Sequence, residues 1–217
     1  ILKAAEILIS NGVAKPILLG SKDKMEAIIE EYQLELQEAE FIDVTADSAG
    51  REAYAAQMYE FRKRRGWTMG ECRSKVKSRE YYGNMMLRDG GADALISGLT
   101  VKYPTALRPI LRLIGMEEGM RKAAGMYILL SKRGPMFFAD TTINLDPTVE
   151  DLVQMVLNVA DTVKRTNIVP KVALLSYSNF GSSNGPDARK MAQASAILRK
   201  EHPDLIVDGE MQANFAL

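Results

Sequence analysis

The chain has 217 residues, 47% of them apolar, with 28 Lys+Arg balanced by 28 Asp+Glu. Zero net charge argues against nucleic acid as the main partner, because a phosphate backbone demands a basic excess, and no apolar run approaches the ~20 residues of a membrane span. The single cysteine, Cys72, excludes an intrachain disulfide and fits a reducing cytoplasm, while the single histidine, His202, leaves no Cys–His pair and no multi-histidine metal site.

Residues 1–12 read as a helix ending near Gly12, 16–19 as a short buried strand, and 21–32 as a helix with a polar face. Phe41 to Val44 read as a strand, and Arg51 to Arg65 as a helix broken by Gly66. Thr68 fits an N-cap for a helix through Val76, and Tyr81 to Arg88 form a helix stopped by Gly90-Gly91. Ala94 to Leu99 read as a buried strand, followed by a helix that starts near Pro104 and reaches Ile114. Two apolar runs, 125–131 and 136–141, joined by Arg133-Gly134-Pro135, predict an antiparallel hairpin. Asp146-Pro147 predicts a cap and first turn for a helix reaching Lys164-Arg165. Lys171 to Ser178 is a predicted strand, 186–201 a helix, and Leu205 to Val207 a strand. Strands alternating with helices predict an α/β fold with mainly parallel sheet, and the hairpin marks a second lobe. The expected lobes are 1–118 and 119–217. The chain opens and closes in apolar sequence with no leader-like segment, so residues are expected to be missing at both ends.

Several constellations fit chemistry. The loop from Ser176 to Asp187, with Ser178 and Asn179, is dense in Ser, Asn and Gly between a strand and a helix, a pattern that suits anions. It lacks the Gly-Lys-Ser/Thr of a P-loop, and an ordinary loop explains it about as well. Ser97-Gly98 ends a predicted strand, and the next helix carries Arg108, which fits either a phosphate grip or a salt-bridged surface residue. Arg62-Lys63-Arg64-Arg65 is either a solvated helix end or a patch for a polyanion. Asp140 follows Phe137-Phe138 and is costly to bury unpaired; Asp208 and Glu210 end another strand. Each fits a general base, a metal ligand or the partner of a buried arginine. Asp146 is explained as a helix cap. Cys72, on a charged helix, is read as inert.

Leu174-Leu175-Ser176-Tyr177-Ser178, Asp208-Gly209-Glu210-Met211-Gln212, Phe138-Ala139-Asp140, Tyr81-Tyr82-Gly83 and Leu107-Arg108-Pro109 resemble phosphate acetyltransferases along essentially the whole chain. Ser97-Gly98-Leu99-Thr100, Gly125-Met126-Tyr127 and Ser178-Asn179-Phe180-Gly181 look closer to the C-terminal region of bacterial two-part malic enzymes. The resemblance implies a two-lobed fold of the isocitrate/isopropylmalate dehydrogenase type, a coenzyme A or acetyl-CoA ligand in the cleft between lobes, and a homo-oligomer. By position it implies ligand contacts from Arg62, Ser97, Tyr103, Arg108, Ser176, Ser178 and Asn179. It implies a partner malic domain using NAD(P) and Mg or Mn, none of which these residues would bind; no metal site is expected in this chain. Lys102-Tyr103-Pro104 departs from the small, hydroxyl-rich stretch of acetyltransferases, which favours an acetyl-CoA sensor regulating malate oxidation over an active acetyltransferase or a purely structural oligomerisation module.

Overall fold

A computed structural model describes residues 1–217. The chain divides into two compact α/β units, Ile1–Gly115 and Met116–Leu217.

The first unit runs α1 (Leu2–Ser10), β1 (Ile17–Leu19), α2 (Lys22–Tyr32), β2 (Glu40–Ile42), α3 (Ser48–Arg62), a 3-10 turn (Lys63–Arg65), α4 (Met69–Lys75), α5 (Arg79–Arg88) and α6 (Tyr103–Pro109), which continues as a π-helical turn over Ile110–Ile114. β1 and β2 pair in parallel, Leu18 opposite Phe41. Asp47 caps α3 by accepting the Gly50 N–H at 2.9 Å. Thr68 forms the predicted cap of α4: its hydroxyl accepts the Glu71 N–H at 3.2 Å, and Glu71 returns a bond from the Thr68 N–H at 3.0 Å. Gly66, at φ 83°, turns the chain between the two helices. The core gathers Ala55 and Met58 of α3, Cys72 of α4, and Tyr82 and Met85 of α5. Met86, at the end of the buried run of α5, lies against the same core.

Two expectations fail in this unit. Ala94 to Leu99 is not a strand; Ile96 and Leu99 are 92% and 79% exposed, so the apolar run finds neither a ladder partner nor a core. The strand expected at Phe41–Val44 lies at Glu40–Ile42, because the pairing begins opposite Ile17.

The second unit runs β3 (Met126–Ser131), β4 (Gly134–Ala139), α7 (Val149–Lys164), β5 (Lys171–Leu175), α8 (Pro186–Glu201), β6 (Ile206–Met211) and α9 (Ala213–Ala216). β3 and β4 form the predicted antiparallel hairpin, Tyr127 opposite Phe138. β5 and β6 pair in parallel and carry α7 and α8 on a core of Leu152, Leu174, Ala194, Leu198 and Val207. α7 is capped by Thr148, which accepts the Asp151 N–H at 3.2 Å, not by Asp146; Asp146 instead pairs with Lys190 at 2.5 Å. β5 stops at Leu175, short of the expected Ser178, and β6 runs past the expected Val207 to Met211 through a register shift at Leu174/Leu175.

Gly209 permits that extension. It sits at φ +136°, and a Cβ there would lie 2.7 Å from the Leu174 carbonyl oxygen. Gly209→Ala therefore combines backbone strain with a clash against backbone, and we expect a loss of at least about 2 kcal/mol in urea denaturation. A midpoint equal to that of the wild type would show that β6 tolerates a side chain here.

Candidate functional site

The period of α3 places Ala55, Met58 and Arg62 on one buried stripe. The helix thus delivers a guanidinium to the edge of the core. Arg62 is 9% exposed, and its Nε meets no hydrogen-bond acceptor. No carboxylate pairs with it; the ion pairs of this unit lie elsewhere, such as Arg73 with Glu52 at 2.5 Å. The groups facing Arg62 are aromatic rings and further cations. Its guanidinium lies 5.7 Å from the Phe61 ring and 5.8 Å from the Trp67 ring. Lys75 and Arg112 approach the same indole at 5.0 and 5.7 Å, and Arg88 sits 4.2 Å over Phe61. Tyr81 completes the wall, accepting a hydrogen bond from Arg112 Nη1 at 3.1 Å with its ring 6.4 Å from Trp67. Burial, then the charges of Arg65, Arg88 and Arg112, push the Arg62 pKa down, with Tyr81 opposing. An arginine stays charged in a protein regardless, so the cluster is a region of positive potential in which Arg62, Lys75, Arg88 and Arg112 pair with no carboxylate.

Of the ligand contacts implied by the resemblance, only Arg62 belongs to this cluster. Ser97, Tyr103 and Arg108 are exposed on the segment leading into and along α6, and none of them enters an ion pair. Trp67, Lys75, Arg88 and Arg112 escaped the sequence reading, and the spacing of Ala55, Met58 and Arg62, which turns Arg62 inward, was not used there.

The Ser-rich loop of the second unit is differently occupied. Glu210, 3% exposed on β6, accepts the Gly181 N–H at 2.6 Å and the Ser178 hydroxyl at 3.0 Å. Ser178 is fully buried, and its oxygen also accepts the Ser183 N–H at 3.0 Å. Asn179 Oδ1 accepts the Gln212 N–H at 2.7 Å, and Ser176 Oγ accepts the Ser178 N–H at 3.2 Å. The anion that this loop receives is the protein's own carboxylate. The Gly181 N–H, against the opposing push of burial, holds the Glu210 pKa low. Asp208 is exposed and pairs with Arg199 at 3.2 Å.

Asp140 is a loop anchor. Its two oxygens accept the N–H groups of Gly125 at 3.0 Å, Thr142 at 3.3 Å, Ile143 at 3.2 Å and Asn144 at 2.8 Å. Burial pushes its pKa up, but the bonds from the Asn144 amide and from these N–H groups outweigh that and leave it lowered. No group of three or more His, Cys, Asp or Glu side chains is assembled to hold a metal. Cys72 is buried, and desolvation raises its pKa, which leaves the thiol unreactive. No helix is long and apolar enough to cross a membrane.

The profile of the phosphate acetyl/butaryl transferase family matches residues 1–217. The chain belongs to this family. A phosphotransacetylase from Streptococcus pyogenes superposes with a TM-score of 0.83 at 30% identity, over 100% of this chain and 66% of that one. The α/β fold is thus that of the phosphotransacetylases. The NADP-dependent malic enzyme of Salmonella typhimurium is 38% identical over 100% of this chain, which spans 29% of that protein. The phosphate acetyltransferase of Clostridium acetobutylicum is 33% identical over 99% of this chain and 66% of its own length. This family domain occurs both in malic enzymes and in phosphate acetyltransferases.

Because the folded pKa of Asp140 is depressed, its ionised form contributes stability that is full above the unfolded value, about 3.9, and is lost as pH falls through the folded value. Asp140→Asn keeps the shape and removes the charge. Its urea unfolding free energy at pH 7 should fall by about 1–3 kcal/mol, and its decline in acid should be shallower than that of the wild type. An unchanged midpoint at pH 7 would remove Asp140 from its anchoring role.

Proposed function

We propose that the Arg62 cluster binds the phosphate-bearing end of coenzyme A or acetyl-CoA, and that the chain acts as an acetyl-CoA-responsive region of a malate-oxidising protein. The observation that carries the reading is the buried side chain of Arg62, whose Nε has no acceptor and whose charged neighbours are cations. A buried charge without a partner is strongly unfavourable, and a phosphate supplies both the missing charge and the missing acceptor. Helix C-termini alone would account for cations at the ends of α3, α4 and α5, but not for burying one of them.

Regulation is favoured over turnover by two observations. Identity to the Salmonella malic enzyme, 38%, exceeds the 33% to the Clostridium acetyltransferase. Asp140 and Glu210, the carboxylates on which a base would most readily be sought in this chain, are already committed to N–H donors. A homo-oligomer fits the hairpin, where Tyr127, Ile128, Leu129 and Leu130 are 51–81% exposed. Leu130→Lys should then lower the mass in sedimentation, and an unchanged mass would free the hairpin from that role.

The test uses the full chain. Acetyl-CoA should give saturable heat in calorimetry and raise Tm. Arg62→Met removes the unpaired charge at similar length, so the ligand-free Tm should hold or rise while affinity falls by at least about tenfold. Absence of heat and of a Tm shift in the wild type would end this reading. Turnover of coenzyme A with acetyl phosphate, lost in Arg108→Ala, would replace the sensor by an active transferase.

A further inference from the structure

We propose that Trp67 is the positioning residue of this anion site, its indole gathering Arg62, Lys75 and Arg112 into one receptor before any ligand arrives. The inference rests on the reading of the cluster as an anion site. The three cations come from different elements: the end of α3, the end of α4 and the π-helical turn after α6. Left to themselves they repel one another and would separate into water. What they share is a ring, with their charged groups 5.0–5.8 Å from the indole centroid. The face of an indole is negative, and tryptophan is the strongest of the side-chain rings in attracting a cation.

Trp67 owes its place to Gly66, whose left-handed backbone brings the indole back beside the last turn of α3. Tyr81 then acts as a second wall. It lies 5.8 Å from Lys75 and accepts a hydrogen bond from Arg112, so two of the three cations touch both rings. A residue needed only to fill volume at the edge of the core would explain the packing of Trp67 against that core. It would not explain the convergence of charges. A ring face also differs from a carboxylate in a way that matters here: it attracts the cations without neutralising them, and apart from the Arg112 Nη1 taken by the Tyr81 hydroxyl it leaves their hydrogen-bonding groups for the ligand. Ordering the receptor beforehand removes part of the entropic cost of binding.

Trp67 is the only tryptophan in the chain, so its fluorescence reads this site alone. In the wild type, both inorganic pyrophosphate and acetyl-CoA should change that emission saturably. By calorimetry, Trp67→Leu, which keeps an apolar filler without a negative face, should weaken pyrophosphate binding about five- to tenfold, and Trp67→Phe by no more than about threefold. Lys75→Gln, outside the core, should weaken it about threefold with both rings intact. The slope of log Kd against log salt should be shallower in the Leu variant, because fewer cations engage the anion. If the wild type binds and Trp67→Leu binds equally well, or if Phe is as weak as Leu, the positioning role falls while the site stands. If Trp67→Leu does not fold, an unchanged affinity in Lys75→Gln overturns the proposal. If the wild type shows neither an emission change nor binding to pyrophosphate or acetyl-CoA, the anion site itself falls.

Discussion

Arg62 is more than nine-tenths buried, its Nε meets no acceptor, and the charges nearest to it are other cations. The stripe it shares with Ala55 and Met58 leaves the chain little choice, because the face of α3 that builds the core also carries the arginine inward. A methionine there would satisfy the same packing and remove a desolvated charge, and replacements of that kind are often neutral or stabilising. The local structure compensates in part. Phe61 and Trp67 offer ring faces, and the ends of three helices, rich in carbonyls, lie under Arg62, Lys75 and Arg88. Neither source supplies an acceptor to the orphaned Nε.

The second unit presents the opposite sign and the opposite solution. Glu210 and Asp140 are carboxylates at or near the core, and neither is paired with a cation. Both are instead surrounded by N–H and hydroxyl donors, four main-chain N–H groups in the case of Asp140. Such groups are satisfied, and their low pKa values follow from that satisfaction. Satisfaction therefore separates two kinds of polar residue in one molecule. A carboxylate with its bonds complete organises a loop, while Arg62 keeps one donor unmatched, which on the proposed reading is left for a ligand.

Much of the local structure was legible because it rests on local chemistry. Thr68 and Glu71 sit at the spacing of a capping box, and Gly134 turns the hairpin at φ 110°. Pro186 stands where the sequence put the start of α8. Most of the failures have tertiary causes. Ala94 to Leu99 has the composition of a strand, but no neighbouring strand offers it a ladder. Asp146-Pro147 and Thr148 are both acceptable caps, and the choice depended on Asp151 closing the box at Thr148 while Lys190 drew Asp146 away. The Ser-rich loop read as an anion site because its donors were visible in the sequence. The carboxylate that takes them lies about thirty residues on, where only the pairing of β5 with β6 brings it near. Arg88 and Arg112 were likewise invisible, since nothing in their own segments distinguishes them from surface cations.

The same charge imbalance bears on how a ligand could be felt beyond its contacts. In the ligand-free chain the cluster is a region where cations from α3, α4, α5 and the turn after α6 are confined together. An anion bound among them removes their repulsion and ties these elements through one group. Anything that binds the native state alone stabilises it by mass action, and here the gain would fall on helix ends that otherwise push apart. A site completed by internal carboxylates would be equally rigid with and without ligand, and so could report nothing. A site held by ring faces and left short of negative charge differs most between its empty and filled states. On the proposed reading, that difference is the free energy available for coupling to another domain.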